Sequence, residues 1–345
     1  MTVTVTVVGV VGDEEIARCK GPPVLTMEER LAMVESVKWV DEILEDVPYE
    51  ITPEFLATLF TEHRIDYVLH GDDPCLLPDG TDAYASAKAA GKFITVKRTE
   101  GVSTTDIVGR MLLSAAGGRA AEGGVDLGKL RNFLPTSRRI TQFSSGRRPA
   151  AGQRVVYVDG DWDVFHSGHI ALLKAARKLG DFLIAGIFDD GAVQERSGPH
   201  HPILNLQERA LGVLSSRYVD EIIMGAPPTV TRDLISNFRV DIVVPGLHAT
   251  EAVPKIVRRY SAVSGSKAVV QTMEDRGAEG LGGYAVPKAL GILEPLDVPP
   301  TMTKANTIKR ILQNKAVFEA KYAKKAKKEA EYVETKEDRE HVEEL

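Results

Sequence analysis

Cysteine is nearly absent. Cys19 and Cys75 are the only two in 345 residues, in unrelated contexts, so there is no disulfide framework or zinc-ligand spacing, and a reducing compartment fits. Long apolar runs are missing too: no stretch approaches the roughly 18 residues of a membrane-spanning helix. Residues Met1 to Val8 alternate threonine and valine like a strand and lack the basic start of a signal peptide, so the cytoplasm is the expected location. Basic charge is not in excess. Lys and Arg total 43 against 49 Asp and Glu, a net charge of −6, which argues against broad electrostatic binding to nucleic acid. Any phosphate must be held by a local arrangement. What is present suits folded domains: 43% hydrophobic and 27% charged residues, in a chain long enough for two or three cores.

The chain contains an internal repeat. Glu29-Arg30 and Asp41-Glu42-Ile43 recur as Glu208-Arg209 and Asp220-Glu221-Ile222, Gly21-Pro22 as Gly198-Pro199, and Arg64–Val68 as Arg239–Val243. So long a period means duplicated domains. Within the second copy, strand and helix patterns alternate. Arg154–Val158, Asp181–Ile187, Val219–Met224 and Val240–Pro245 read as strands. Ser167–Leu179, Asn205–Leu214 and Val230–Asn237 read as helices, Asn205 being an N-cap with Glu208 at the capping-box position. Such alternation predicts an α/β fold with parallel sheets covered by helices. Ligands then bind at the carboxyl ends of the strands. The expected division is a first domain over 1–112, a Gly/Ala/Ser/Arg-rich linker over 113–152, a second domain over 153–310 and a charged helical tail over 311–345.

The strongest chemical signal is Gly160 to His169, ending in His166-Ser167-Gly168-His169 between a predicted strand and a predicted helix. Gly168 lets a phosphate approach the backbone where a helix start supplies free N–H groups and a positive dipole end. The two flanking histidines can donate to phosphate oxygens, and such aimed donors act most strongly on the extra charge of an α-phosphate under attack. In the first half, Lys97-Arg98 followed by Gly101, Ser103, Thr104, Thr105 and Asp106 places fixed charge, a tight turn and a capped helix start together, a second place for polyphosphate oxygens. Three features stay open. Arg30 and Arg209 either bind phosphate or form ion pairs on their helices. Asp72 and Asp73, after His70, orient a ribose or an amine, or simply make a turn. Trp39 belongs in a core rather than on an amine-binding face.

These segments resemble the ethanolamine-phosphate cytidylyltransferases, members of the HxGH nucleotidyltransferase superfamily. Arg154–His169, Asp181–Ile187 and Asn205–Arg209 resemble the family's second domain. Lys20–Pro23, Thr26–Arg30, His70–Asp73 and Lys97–Asp106 resemble its first. The resemblance implies two tandem Rossmann-like nucleotidyltransferase domains paired as an intramolecular pseudo-dimer. It implies that CTP and phosphoethanolamine are joined into CDP-ethanolamine with loss of pyrophosphate, Mg²⁺ being bound with the CTP and no metal site being formed by the protein alone. His166 and His169 would donate to the α-phosphate, Gly168 would permit close approach, Asp163 would sit at the nucleotide and Arg209 would face the phosphates. Lys20, Arg30, Arg98, Ser103, Thr104 and Thr105 would hold phosphate groups in the first half, with His70, Asp72 and Asp73 as substrate candidates. The family's place in phosphatidylethanolamine synthesis leaves a peripheral contact with the endoplasmic reticulum open, although Lys321–Lys328 reads as a solvated helix rather than a membrane anchor.

The halves depart from the pattern in complementary ways. The position matching His166 falls before Met1, so the first half has no HxGH, and Val7–Val10 matches the second strand of the unit, Ile184–Ile187. In the second half, Ser197 stands near the position of Lys20 and Pro245 at that of His70. The alternatives are therefore a catalytically inactive nucleotide-binding form, or a cytidylyltransferase for phosphocholine or glycerol 3-phosphate.

Overall fold

The computed structural model describes residues 4–97, 104–115, 144, 146–247, 283–297 and 303–320, with backbone alone for 104–106 and 113–115. The chain divides into two compact units, Met1–Leu134 with Asn306–Leu345, and Pro135–Ala305.

In the first unit the order is β1 (Val7–Val11), α1 (Asp13–Lys20), α2 (Met27–Glu35), β2 (Glu42–Val47), α3 (Pro53–Thr61), β3 (Val68–Gly71), α4 (Ala85–Ala89), β4 (Phe93–Val96) and α5 (Thr104–Ala115). Two parallel pairs form, β1 with β2 and β3 with β4. Thr26 caps α2 in a capping box with Glu29, and Thr52 caps α3 ahead of Pro53, so side chains replace the backbone partners missing at each start. Ile51, Leu56, Leu59 and Ala87 form the centre of one core cluster.

In the second unit come β5 (Val155–Gly160), α6 (Ser167–Arg177), β6 (Phe182–Ile187), α7 (Asp190–Ser197), α8 (Leu206–Ser215), β7 (Glu221–Met224), α9 (Arg232–Phe238), β8 (Ile242–Val244) and α10 (Ala285–Ala289). Its four strands are all parallel, in the order β7-β6-β5-β8. Every residue of β5 and β6 is buried, as central parallel strands covered on both faces must be. Val156, Val158, Leu183 and Ala185 face one cluster with Leu172, Leu173 and Val213. Val155, Tyr157, Phe182 and Ile184 face the other with Val230, Leu234 and Tyr284. A further helix, α11 (Lys304–Gln313), follows.

The expected capping box of Asn205 and Glu208 is formed, and α6 begins at Ser167 as its periodicity requires. The N-terminal strand covers Val7–Val11, its register set by pairing Val7 with Glu42 onward; Thr4 to Thr6 lie outside it, and Met1 to Val3 lie outside the described residues. Trp39 is not in a core but 49% exposed. The C-terminal helix starts at Lys304, ahead of Thr307, with Thr307 and Ile311 buried. Arg98, Ser103, most of the linker and Lys321–Lys328 lie outside the described residues.

Candidate functional site

β5 delivers the chain to the end of its sheet at Gly160, and the loop 161–166 then turns it into α6. Trp162 and Val164 take φ of 53° and 50°, a left-handed conformation that costs side-chain-bearing residues of order 1–3 kcal/mol each. Trp162 is anchored: it is 1% exposed and its Nε1–H donates to the Gly186 carbonyl at 2.8 Å. The turn sets His166 at the N-cap of α6.

The two imidazoles cap this helix reciprocally. The Gly168 N–H donates to His166 Nδ1 at 3.1 Å, and the His166 N–H donates to His169 Nδ1 at 3.2 Å. A ring nitrogen that accepts from an amide carries no proton, so both rings hold theirs on Nε2 and offer Nε2–H as the donor. The rings stack on each other with centroids 3.9 Å apart, and His169 also lies parallel to Phe165 at 5.6 Å. Both are 95% buried or more. Two donors of fixed tautomer and the positive end of the α6 dipole thus share one place, the chemistry that holds an anion and stabilises added charge on it.

Asp163 points inward. It accepts from Ile203 N–H at 3.0 Å and Leu204 N–H at 3.0 Å, with Lys304 Nζ 3.3 Å away. Burial pushes its carboxyl up, but the His201 ring, the Lys304 charge and the two amides outweigh it and hold the group well below the usual carboxylate range. Arg209 is wholly buried. Its Nε donates to the Leu204 carbonyl, Nη1 to the Asp161 carbonyl and Nη2 to Asp190 at 2.7 Å. Of the two readings of this arginine, the ion pair is formed, and with it the guanidinium ties the histidine loop to α7 and α8. Lys304 also lies 3.7 Å from Asp161, a role that sequence reasoning missed because 141 residues separate it from Asp163.

A second missed group lies beneath. Asp159, wholly buried in β5, accepts from the Tyr284 hydroxyl. Burial pushes its carboxyl up to about 7, against the pull of Tyr284 and of the Gly246 N–H. Its only sequence signal is an acid inside the apolar run Val155–Gly160.

Of the first-unit candidates, Lys20 and Arg30 line one groove beside β1. Lys20, at the end of α1, is exposed with Nζ 5.3 Å from the centre of the Tyr49 ring. Arg30 repeats the arrangement of Arg209: Nη2 pairs with Asp13 at 2.6 Å and Nη1 donates to the Val11 carbonyl. His70, next to last in β3, has its ring 4.7 Å from that of Tyr84, while Asp72 and Asp73 are exposed in a bend. Thr104 and Thr105 open α5. Among the described residues there is no cluster of three or more His, Cys, Asp or Glu that could hold a metal, and no helix is long and apolar enough to cross a membrane.

The cytidylyltransferase-like family model matches residues 2–110 and 157–274, one region in each repeat. An ethanolamine-phosphate cytidylyltransferase of Arabidopsis thaliana is 45% identical over 96% of this chain and 79% of its own. One from Dictyostelium discoideum is 41% identical over 95% and 88%, and one from Mus musculus 37% over 95% and 84%.

Proposed function

The chain belongs to the family of ethanolamine-phosphate cytidylyltransferases, and from that membership we propose that it joins CTP and phosphoethanolamine into CDP-ethanolamine and pyrophosphate. The observation that carries the reading is the reciprocal imidazole cap at the start of α6.

A phosphate oxygen of phosphoethanolamine attacks the α-phosphorus of CTP in line with the bond to the bridging oxygen. That bond breaks and its electron pair leaves with pyrophosphate. No covalent enzyme intermediate is required, so positioning and charge stabilisation carry the catalysis. His166 and His169 donate through Nε2–H to the α-phosphate, and Gly168 leaves the helix start open to it. Asp163 and Arg209 act through others. Asp163 fixes the Ile203–Leu204 backbone and Arg209 fixes the Asp161 carbonyl, which holds the histidine loop against the start of α8. Lys20, Arg98, Thr104 and Thr105 answer polyphosphate in the first unit. Both carboxylates beside the histidines are held by amides or by Lys304, so Mg²⁺ would come with the CTP, and when bound it would neutralise charge on the leaving group. The same reading puts the enzyme in the cytoplasm with peripheral contact to the endoplasmic reticulum.

The test is pyrophosphate release from CTP and Mg²⁺ with phosphoethanolamine, phosphocholine or glycerol 3-phosphate as acceptor. Release with phosphoethanolamine, lowered about 10²–10³-fold by His166→Ala, is expected. Release with another acceptor alone reassigns the substrate. CTP binding without release from any of the three makes the chain a nucleotide-binding form.

A further inference from the structure

The sheet of the second unit has two edges. The histidine loop leaves the carboxyl end of β5, and the amino ends of β5 and β8, parallel neighbours, lie at the opposite edge. At roughly 3.3 Å per residue, the length of β5 puts that edge about 20 Å from the start of the histidine loop. A cavity of about 420 Å³ opens there, and its lining includes Pro149, Ala150, Gln153, Arg154, Arg239 and Asp241. One wall is a closed turn. The Ala150 N–H donates to Gln153 Oε1 at 2.8 Å, and the Gln153 N–H donates to the Ala150 carbonyl at 3.2 Å. On the other side Arg239 ends α9 in the left-handed conformation, φ 52°, and leads into β8.

The charges at this edge are not balanced against each other. The acids are used by the backbone. Asp181 accepts the Arg154 N–H at 2.9 Å, and Asp241 accepts the Val155 N–H at 2.7 Å. Asp220, ahead of β7, accepts the Leu183 N–H and pairs with Arg177. The guanidinium groups of Arg154 and Arg239 are exposed and have no carboxylate or other acceptor among the described residues, and the same holds for Arg148, directly before the first residue of the cavity. Unpaired guanidinium groups around one cavity favour an oxyanion with several acceptor oxygens, which their planar forks of N–H donors hold bidentately. A phosphate group has that chemistry. A nucleobase would find no aromatic side chain in the lining to stack on.

We infer that the amino edge of β5 and β8 is a phosphate-group site separate from the histidine loop. Arg154 and Arg239 hold the phosphate oxygens, and Arg148 adds charge beside them. A free phosphate and the headgroup of an anionic lipid share this chemistry. The inference does not rest on the proposed reaction, and binding alone tests it.

The full chain is titrated with inorganic phosphate and, separately, with phosphatidylcholine vesicles with and without phosphatidic acid, while the arginine Nε–H resonances are followed by NMR. Expected is a saturable shift of the Arg154 and Arg239 resonances. A response to inorganic phosphate makes the ligand a free anion, and a response to phosphatidic acid vesicles alone makes it a lipid headgroup. Arg154→Gln, a change at an exposed position, weakens the response of Arg239 at least about tenfold, and Arg239→Gln weakens that of Arg154 similarly. Both variants keep the melting temperature of the unchanged chain. Arg154→Lys regains part of the affinity, because charge is kept and bidentate donation is lost. Resonances that neither titrant moves overturn the proposal, as does a response of unchanged strength in both Gln variants. His166→Ala leaves the two shifts as they are; their loss in that variant also overturns the proposal, because the anion then belongs to the histidine loop.

Discussion

At the residue scale the second unit holds two buried carboxylates in opposite states. Asp159 keeps its proton because burial dominates, and its value of about 7 exceeds that of an unfolded aspartate. The folded protein therefore binds this proton more tightly than the unfolded chain does. Its stability falls as pH rises from about 4 to about 7, by at most about 1.4 kcal/mol per unit, and is level above. Asp159→Asn keeps an oxygen for the Tyr284 hydroxyl and removes that slope, so urea unfolding at pH 5 and pH 8 converges in the variant. Asp163 behaves in the reverse sense. Its value is depressed, so its contribution is complete above the unfolded aspartate range and lost as pH falls through the folded value. Asp163→Ala removes the acceptor shared by two amides and Lys304 and costs about 3–5 kcal/mol. Lys304→Met weakens the same pair, and a double-mutant cycle by denaturant titration should show that the two losses do not add.

At the scale of elements, each helix start examined by its cap tells how it is fixed. Asn205 accepts from the N–H groups of Gln207 and Glu208. Asn205→Ala should cost about 1 kcal/mol and slow pyrophosphate release, because the Ile203–Leu204 backbone held by Asp163 leads straight into this cap; unchanged turnover with lowered stability would confine the cap to folding. The equivalent cap on α2 involves Glu29, which also pairs with Arg310 at 2.6 Å. Burial pushes the Glu29 carboxyl up, and Arg310 with Thr26 overrides this and holds it below its ordinary value. α11 is thus fastened by a charge as well as by Ile311. Arg310→Met should speed amide exchange over Lys304–Gln313 while leaving α6 unaltered. Both arginines of the repeat, Arg30 and Arg209, hold an aspartate that opens the neighbouring helix, Asp13 and Asp190. The sequence offered phosphate and ion pair equally, since the acid partner lies 17 or 19 residues away.

At the scale of the whole molecule, the first unit takes in α11 from Asn306 onward. Ile311 is 1% exposed there. Ile311→Asp should lower stability by about 3 kcal/mol or more, through lost burial and an unpaired charge, read as a lowered melting temperature.

By itself the sequence determined the duplication, the α/β alternation, the Asn205 cap and the strand–histidine–helix motif. Each of these depends on residues a few positions apart or on a repeat visible by inspection, and local backbone preferences and capping act over that range. The tertiary structure alone decided which partners the long side chains take. Asp163 reads as a ligand-facing acid beside a phosphate motif, but the amides that donate to it lie 40 and 41 residues on, and only the packing of α8 against the loop turns it inward. Asp159 is a strand-end acid in the sequence and a buried, proton-holding one in the fold, because its environment comes from Tyr284, 125 residues away.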